Sequence, residues 1–313
     1  MQTETTANPA PTAAPQRPLT VVTVAYNSAD VLAGLLDSLP AALAGVGRWN
    51  VVVVDNASAD GSPEIAESHP LRPLVVRTGR NGGYAAGINA GLAGASPDAD
   101  VLILNPDVRL VAGAVRPLTA RLDDPVVGVA VPRTLRENGN MLKSLRREPS
   151  LLTAWAEAVL GGRLTAALDL GEIVTNPAPY AEDGVAAWAS GGVMAVAARA
   201  RAAVGAWDES FFLYSEEVEF QRRVRMSGLQ VSFVARSVVI HKGGDYRRDP
   251  RLYALLTANR VRYYRRYHGP VATALFRLGV VSGEALRSLK GSPIHRAGLR
   301  AALRYRGGMV AAL

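Results

Sequence analysis

The chain has 313 residues, of which 49% are apolar and 20% are charged, which is enough apolar material for one large α/β domain with an extension. It contains no cysteine, which excludes disulfides and thiolate chemistry and agrees with a reducing cytoplasm. The net charge of +8 is uneven, because residues 242–313 hold 15 Lys and Arg against 3 Asp and Glu. This basic quarter predicts an anionic partner, such as a phospholipid surface, a lipid diphosphate or nucleic acid.

The N-terminal segment, residues 1–17, is rich in Pro, Thr and Ala and has neither a charged start nor an apolar run. It therefore indicates a disordered leader and not a signal peptide. No stretch reaches about 18 uninterrupted apolar residues, so we expect no membrane-spanning helix. We predict a cytoplasmic protein, and peripheral contact with the inner face of the plasma membrane stays open.

Apolar, β-branched runs alternate with helix-like segments over the first 135 residues. Strands are predicted at Leu19–Ala25, Asn50–Val54, Leu74–Val76, Val101–Leu104 and Val126–Val131. Helices are predicted at Ala29–Leu43, from Ser62 onward, and at Gly83–Leu92. This alternation predicts an α/β fold with a mostly parallel sheet that helices cover on both faces. Ligands bind such sheets beyond the carboxyl ends of the strands.

The second half of the chain is less regular. Residues 136–181 mix helix and loop, and an apolar stretch at Val185–Ala197 is split by Ser190-Gly191-Gly192. A helix is predicted at Glu216–Ser227, followed by strands at Val231–Ala235 and Ser237–Ile240. From Pro250 onward the pattern is helical and basic, with a break at Gly269-Pro270.

Two carboxylates follow predicted strands. Asp55 ends the second strand, where it can accept hydrogen bonds from a ribose or a base; because Asp60-Gly61-Ser62 already supplies the turn, we favour a ligand contact. Asp107 follows the fourth strand in Asn105-Pro106-Asp107, and a carboxylate there suits Mg²⁺ or Mn²⁺ held together with substrate phosphates. Taken alone, however, Asn-Pro-Asp is better explained as a simple turn.

The glycine-rich segment GRNGGYAAGINAG, Gly79–Gly91, lets the backbone approach a ligand closely. It does not match the dinucleotide-binding pattern, and the chain has no P-loop pattern. This argues against a dinucleotide-dependent dehydrogenase and against a P-loop NTPase.

Three glutamates, Glu216, Glu217 and Glu219, begin the helix in FFLYSEEVEFQRRVR. The helix dipole accounts for one or two of them. The three positions do not share one helical face, so a glutamate that faces the crevice is a candidate general base. His241 ends the last predicted strand; on its own, such a histidine is more often structural than a ligand.

In order and spacing, seven segments resemble the family 2 glycosyltransferases, and above all the bacterial rhamnosyltransferases of cell-wall and polysaccharide assembly. The resemblance covers Leu19 to Arg266 and rests on VVTVAYNS, VVVVDNASADGS, RNGGYAAGIN, LNPDV, ASGGVMA, FFLYSEEVEFQRRVRMSG and the late His241. It implies a GT-A fold with a nucleotide-sugar-binding half at residues 18–135 and an acceptor and catalytic half at 136–248. A basic helical extension would follow at residues 249–313.

The resemblance also implies roles for individual residues. The donor would contact Ala25, Tyr26, Asn27, Asp55, Asn81, Gly82, Asn105 and Asp107. The transferred sugar or the acceptor would contact Trp188, Gly191, Gly192, Glu216 and Arg223. Asp107 and His241 would hold a divalent cation, and Glu217 would be the catalytic base. Asn105 replaces the usual first acid of the metal motif and Glu217 replaces an Asp, so Glu216 stays open as the base.

The implied reaction is an inverting transfer of a sugar, first of all L-rhamnose from dTDP-rhamnose, to a hydroxyl of a glycan, glycolipid or polyprenyl-diphosphate-linked acceptor. A UDP-hexose or UDP-galactofuranose donor is the next choice. A sugar nucleotidylyltransferase and a non-catalytic nucleotide-binding protein remain as alternatives of other classes. The basic C-terminal helices fit an anionic membrane surface, a packed extension or a homodimer interface; no nucleic-acid-binding module accompanies them.

Overall fold

A computed structural model describes residues 17–190, 192–243 and 249–305 of the chain. The predicted leader therefore lies outside the described residues except for Arg17, as does the predicted site residue Gly191.

The strands in chain order are β1 (Leu19–Ala25), β2 (Trp49–Asp55), β3 (Leu74–Arg77), β4 (Asp100–Leu104), β5 (Val108–Leu110), β6 (Val127–Leu135), β7 (Leu145–Arg146), β8 (Gly184–Ala186), β9 (Trp188–Ala189), β10 (Val193–Val196) and β11 (Gln230–His241). The helices are α1 (Ala29–Ala42), α2 (Ser62–Ser68), α3 (Tyr84–Leu92), α4 (Val115–Leu122), α5 (Leu151–Val159), α6 (Gly161–Ala167), α7 (Ala198–Val204), α8 (Glu216–Met226), α9 (Pro250–Tyr267), α10 (Pro270–Ser288) and α11 (Pro293–Arg304).

The main sheet of the described residues has nine strands. Eight of them lie in the order β3-β2-β1-β4-β10-β6-β11-β5, and the ninth, β8, pairs with β11 outside this order. The first four strands are parallel, as the alternating sequence pattern predicts. β10 runs antiparallel between β4 and β6, and β11 returns parallel to β6. Because only β5, β8 and β10 run against the others, most strands share one direction, and the predicted α/β fold class is confirmed.

The core explains why the strands form where the apolar runs predict them. Every residue of β1 and of β4 is buried, which is the burial expected of parallel strands with helices on both faces. From α1, leucines at helical spacing pack onto the sheet: Leu32, Leu35, Leu36 and Leu39. The sequence therefore fixes both the strand positions and the covering helix in the first half.

Several short elements were not predicted, among them β5, α4 and α7, and one predicted break is absent. β5 has only three residues, α7 is an Ala/Arg segment without an apolar stripe, and α4 carries Pro117 in its first turn. The two predicted strands at Val231–Ala235 and Ser237–Ile240 form the single strand β11, whose register shifts between Val234 and Val238. At this irregularity the Ser237 hydroxyl is buried and donates a 2.7 Å hydrogen bond to the Ala114 carbonyl.

The C-terminal helices pack against α5 and do not stand apart. A small core joins them to that helix, formed by Ala154, Val261, Tyr264, Phe276, Val280 and Ala302. The Arg260 guanidinium of α9 pairs with Glu157 at 2.9 Å and with Glu172 at 3.0 Å. Among the described residues, the helices are too short or too polar to cross a bilayer.

Candidate active site

The donor side of the site is built at the carboxyl ends of β1 and β2, where Ala25 lies opposite Asp55. The Asp55 carboxylate is almost fully buried and accepts a hydrogen bond from the Ser58 amide at 3.2 Å. Asn27 adopts a left-handed backbone (φ 49°), and its side-chain oxygen accepts a 2.9 Å hydrogen bond from the Ala59 amide. Tyr26 leaves half of its surface exposed, so an aromatic face is available above this loop.

The glycine-rich segment lies beside this loop and begins α3. The Asn81 side-chain oxygen accepts a 3.0 Å hydrogen bond from the Gly83 amide, and the Asn56 side chain donates to the Gly83 carbonyl at 2.8 Å. A Cβ at Gly82 would lie 2.9 Å from the Ala86 Cβ, so that position is also tightly packed. The predicted donor residues Asn81 and Gly82 are therefore held next to the end of β2.

Gly83 also joins the two halves of the site. Its φ is +91°, and a Cβ there would lie 2.1 Å from the Phe212 carbonyl oxygen, so only glycine fits. The adjacent Tyr84 amide donates a 2.8 Å hydrogen bond to the same carbonyl. The loop before α8 is thereby held against the start of α3.

Asp107 and His241 meet although 134 positions separate them in the chain. The antiparallel pairing of β11 with β5 sets His241 opposite Val108, and the His241 Nε2 lies 3.1 Å from the Asp107 Oδ1. The Gly243 amide donates a 2.9 Å hydrogen bond to the other Asp107 oxygen. Burial alone would raise the pKa of Asp107, but the hydrogen bond and positive charge of His241 lower it below its usual value.

Gly192 completes the surroundings of this pair. Its carbonyl accepts a 2.7 Å hydrogen bond from the Asn105 amide. A Cβ at Gly192 would lie 2.6 Å from a Val108 methyl group and 3.2 Å from the His241 Nε2, so a larger residue would clash with Val108 next to the imidazole.

The two side chains fit a divalent cation bound jointly with a substrate. Mg²⁺ is commonly held by one or two carboxylates together with substrate phosphates and water, and metal-bound oxygens lie about 2.1 Å away. Asp107 and His241 would both be able to contact such a cation, because their nearest oxygen and nitrogen atoms lie 3.1 Å apart. No group of three or more His, Asp or Glu side chains suited to a metal occurs within the described ranges, so the remaining ligands would come from phosphate oxygens and water.

The three glutamates of α8 have three different environments. Glu216 is buried, and one of its carboxylate oxygens has no hydrogen-bond partner. Glu217 is partly exposed. Glu219 is fully buried and paired with Arg223 at 2.9 Å, and it accepts a 3.0 Å hydrogen bond from the Tyr267 hydroxyl. Glu219 therefore has a structural role, whereas the first two glutamates remain for chemistry.

Glu216, Glu217 and Asp107 all lie close enough to the Tyr84 phenol to raise its pKa. Burial raises the pKa of the Tyr84 phenol well above its usual value, and the charges of Glu217, Glu216 and Asp107 raise it further. These carboxylates therefore act on one phenol at the start of α3. Burial also raises the pKa of Glu216 to about 7, although backbone hydrogen bonds oppose that shift.

A buried amide fixes α8 to the sheet side of the site. The Gln221 side chain accepts from the Ala189 amide and donates to the Ala189 carbonyl, both at 2.8 Å. Tyr214 and Ser215, which precede the helix, adopt left-handed backbones with φ of 67° and 72°. Strained backbone of this kind is held only where surrounding contacts over-determine it, which is typical of functional sites.

Two predicted contact residues have other partners. The Arg223 guanidinium bonds Glu219 and donates to the Ala206 carbonyl at 3.0 Å, so it lies with the structural glutamate. Trp188 is buried, and its indole donates a 2.9 Å hydrogen bond to the Arg147 carbonyl. Contact of either side chain with a sugar stays a prediction, and so does the role of Gly191, which lies outside the described residues.

Several residues of the site were not predicted from the sequence. Asn56 and Tyr84 lie inside quoted motifs but had no assigned role. A cavity of about 180 Å³ opens beside Asp107 and is lined by Asp30, Val31, Asp107, Arg109, Glu137, Ile240 and Lys242. Arg109 and Lys242 are close in sequence to Asp107 and His241, which was the available signal that they belong to the site.

Glu216→Gln should stabilise the protein as the pH rises. The pKa of Glu216 is higher in the folded state than in the unfolded state, so the side chain is neutral in both states below about pH 4.5. Above about pH 7 it is ionised in both states, and its burial in the folded state then lowers the free energy of unfolding of the wild type. We expect the variant to gain roughly 2 kcal/mol in free energy of unfolding over wild type between pH 5 and pH 8, measured by urea unfolding without divalent cations. Glu182→Gln, an exposed control, should show no such trend; a pH-independent difference for Glu216→Gln would contradict the burial argument.

The sequence is similar to those of known proteins. Residues 20–176 match the family model Glycosyl transferase family 2. The chain is 31% identical over 250 residues to the N-acetylglucosaminyl-diphospho-decaprenol L-rhamnosyltransferase of Mycobacterium tuberculosis, a match that covers 74% of this chain and 78% of that protein.

Solved structures share the fold at low sequence identity. The mannosyltransferase PcManGT from Pyrobaculum calidifontis, in complex with GDP-Man and Mn²⁺, gives a TM-score of 0.52 at 19% identity and covers 91% of this chain and 85% of that one. S. aureus TarS 1-349 in complex with UDP gives 0.51 at 15% identity and covers 92% and 89%. The sheet with its crevice at the strand ends is a GT-A fold, and the chain belongs to glycosyl transferase family 2.

Proposed function

We propose that the chain is a metal-dependent, inverting glycosyltransferase that moves L-rhamnose from dTDP-rhamnose to a hydroxyl of a polyprenyl-diphosphate-linked glycan. The observation that carries this proposal is the meeting of Asp107 and His241 beside the acidic start of α8. The 31% identical relative, named as a rhamnosyltransferase for a diphospho-decaprenol acceptor, supports the sugar and the acceptor class. Family membership favours this reading over a sugar nucleotidylyltransferase.

The donor would lie across the ends of β1 and β2. Asp55 and Asn27 would accept hydrogen bonds from the base and ribose, and the half-exposed ring of Tyr26 would offer a stacking face. Asn81 and Gly82 would line the path to the diphosphate. A cation held by Asp107 and His241 would offset the negative charge that develops on the leaving diphosphate.

Glu217 would act as the base in a single displacement. Its carboxylate takes the proton of the acceptor hydroxyl while that oxygen attacks the anomeric carbon, and the bond to the nucleotide diphosphate breaks on the opposite face. Partial exposure favours Glu217 over the buried Glu216, because the base must touch the acceptor. Glu216 would then be a positioning residue behind it.

The test is the pair of variants Glu217→Gln and Glu216→Gln, assayed with dTDP-rhamnose and a polyprenyl-diphosphate-linked acceptor. Loss of the base should lower kcat by about 10²–10⁴ in Glu217→Gln, while calorimetry shows unchanged binding of the nucleotide. Glu216→Gln should keep more activity, because its side chain does not reach the acceptor. The reverse order of activities would move the base to Glu216, and no transfer from any of dTDP-rhamnose, UDP-hexose or UDP-galactofuranose would contradict the proposed function.

We also propose that the protein attaches peripherally to an anionic membrane through α10. Apolar side chains at helical spacing are exposed along this helix: Val271, Leu275, Leu278 and Leu286. The surrounding region is basic, and amphipathic basic helices lie in the interface of anionic bilayers. A lipid-linked acceptor would be reached from such a position.

Leu275→Gln/Leu278→Gln should weaken attachment to phosphatidylglycerol vesicles. Burying part of two leucines contributes on the order of 1–3 kcal/mol, so the partition coefficient measured by co-sedimentation at low salt should fall about tenfold. The matched control is Leu74→Gln/Val185→Gln, which removes two equally exposed apolar side chains from strands. Equal loss in both variants, or no sedimentation of the wild type, would contradict membrane attachment through α10.

A further inference from the structure

A second cavity, which has a basic lining, lies at the end of α9. It shares no lining residue with the cavity beside Asp107. It measures about 220 Å³ and is lined by Phe211, Arg262, Arg265, Arg266 and Tyr305. The three arginines lie within five positions of each other on α9, and all three line this cavity. Nothing in the proposed transfer reaction uses these residues.

Two of these arginines have no carboxylate partner among the described residues. Arg266 is paired with Asp208 and lies 3.7 Å from Glu219. Arg262, in contrast, donates to the neutral Ser210 carbonyl and lies 4.9 Å from the centre of the Phe211 ring. Within residues 17–190, 192–243 and 249–305, no carboxylate lies within 4.0 Å of the Arg262 or Arg265 guanidinium, whereas nine other arginines of these ranges, Arg266 among them, are paired.

Tyr305 also lines the cavity and supplies a hydroxyl. Burial raises the pKa of its phenol, while the positive charges of Arg262 and Arg265, together with a hydrogen bond to Arg265, lower it. The phenol thus lies in a positive field, with an O–H that can donate to an anion. Guanidinium groups bind phosphate oxygens through paired N–H donors. The arginines and the Tyr305 hydroxyl could therefore donate hydrogen bonds to the same phosphate group.

The cavity also contacts the loop that leads to the catalytic helix. Phe211 lines the cavity, and the next residue, Phe212, accepts the hydrogen bond from the Tyr84 amide. One turn before Arg262, the Asn259 side chain donates a 2.8 Å hydrogen bond to the Leu213 carbonyl of the same loop. An anion bound at the end of α9 would therefore lie behind the segment that presents Glu216 and Glu217.

We propose that Arg262, Arg265 and Tyr305 form a binding site for a phosphate or diphosphate group that is separate from the metal-dependent donor site. The group is carried either by a molecule in solution or by the headgroup of an anionic lipid. This inference rests on the charges and geometry of the cavity, so it does not depend on the proposed transfer reaction.

The test measures binding of pyrophosphate to the full-length chain by calorimetry, with a chelator present so that the donor site holds no divalent cation. Removing one charge-assisted contact in Arg265→Gln should raise the Kd about tenfold. The matched control is Arg251→Gln, an exposed arginine at the other end of α9, roughly 20 Å away along the helix; its Kd should stay within twofold of wild type. Because Arg265 is exposed, its substitution should leave the fold intact, which the melting temperature verifies.

Vesicles distinguish the two sources of the phosphate group. If a lipid headgroup occupies the cavity, Arg265→Gln should also bind phosphatidylglycerol vesicles more weakly than Arg251→Gln does, and pyrophosphate should compete with the vesicles. If a soluble molecule is the ligand, the two variants should bind vesicles equally while their pyrophosphate affinities still differ. Equal effects of both substitutions on pyrophosphate, or no pyrophosphate binding by the wild type, would overturn the proposal.

Discussion

The pairing of β11 with β5 is the constraint on which the site depends. It brings His241 to Asp107 across 134 positions and places an imidazole nitrogen 3.1 Å from a carboxylate oxygen. Close packing maintains this arrangement, because Gly192 leaves just enough room for the imidazole. Since β11 also pairs with β6 and β8, the histidine lies at the end of a strand that is hydrogen-bonded on both sides and not on a free loop.

A second set of contacts fixes the position of α8, the helix that begins with Glu216 and Glu217. Gln221 ties α8 to β9, and Gly83 lets the preceding loop approach α3 so closely that a methyl group would not fit. The ends of β1 and β2 are thus joined to the loop before α8 through Asn56, Gly83 and Tyr84. This arrangement fits a reaction in which a nucleotide sugar and an acceptor meet between two carboxylates of different exposure.

The sequence predicts much of this structure and leaves out specific parts of it. The strands β1, β2 and β4 follow from apolar runs, because burial on both faces requires uninterrupted apolar residues. The short β5 has no such signal, and its pairing with β11 is a long-range contact that no local pattern encodes. The family resemblance selected Asp107 and His241, but it could not foresee that Arg223 binds Glu219 or that Glu216 is buried. These depend on how α8 packs.

The most direct measurement is Mn²⁺ binding in the presence of a nucleoside diphosphate, followed by electron paramagnetic resonance. Asp107→Asn and His241→Ala should each raise the Kd for Mn²⁺ at least about tenfold, since each removes one protein ligand. Asp37→Asn is the matched control, because Asp37 and His69 form a similar pair, 3.2 Å apart, on the surface. Wild-type affinity in both site variants would contradict the account, because Asp107 and His241 would then share no cation.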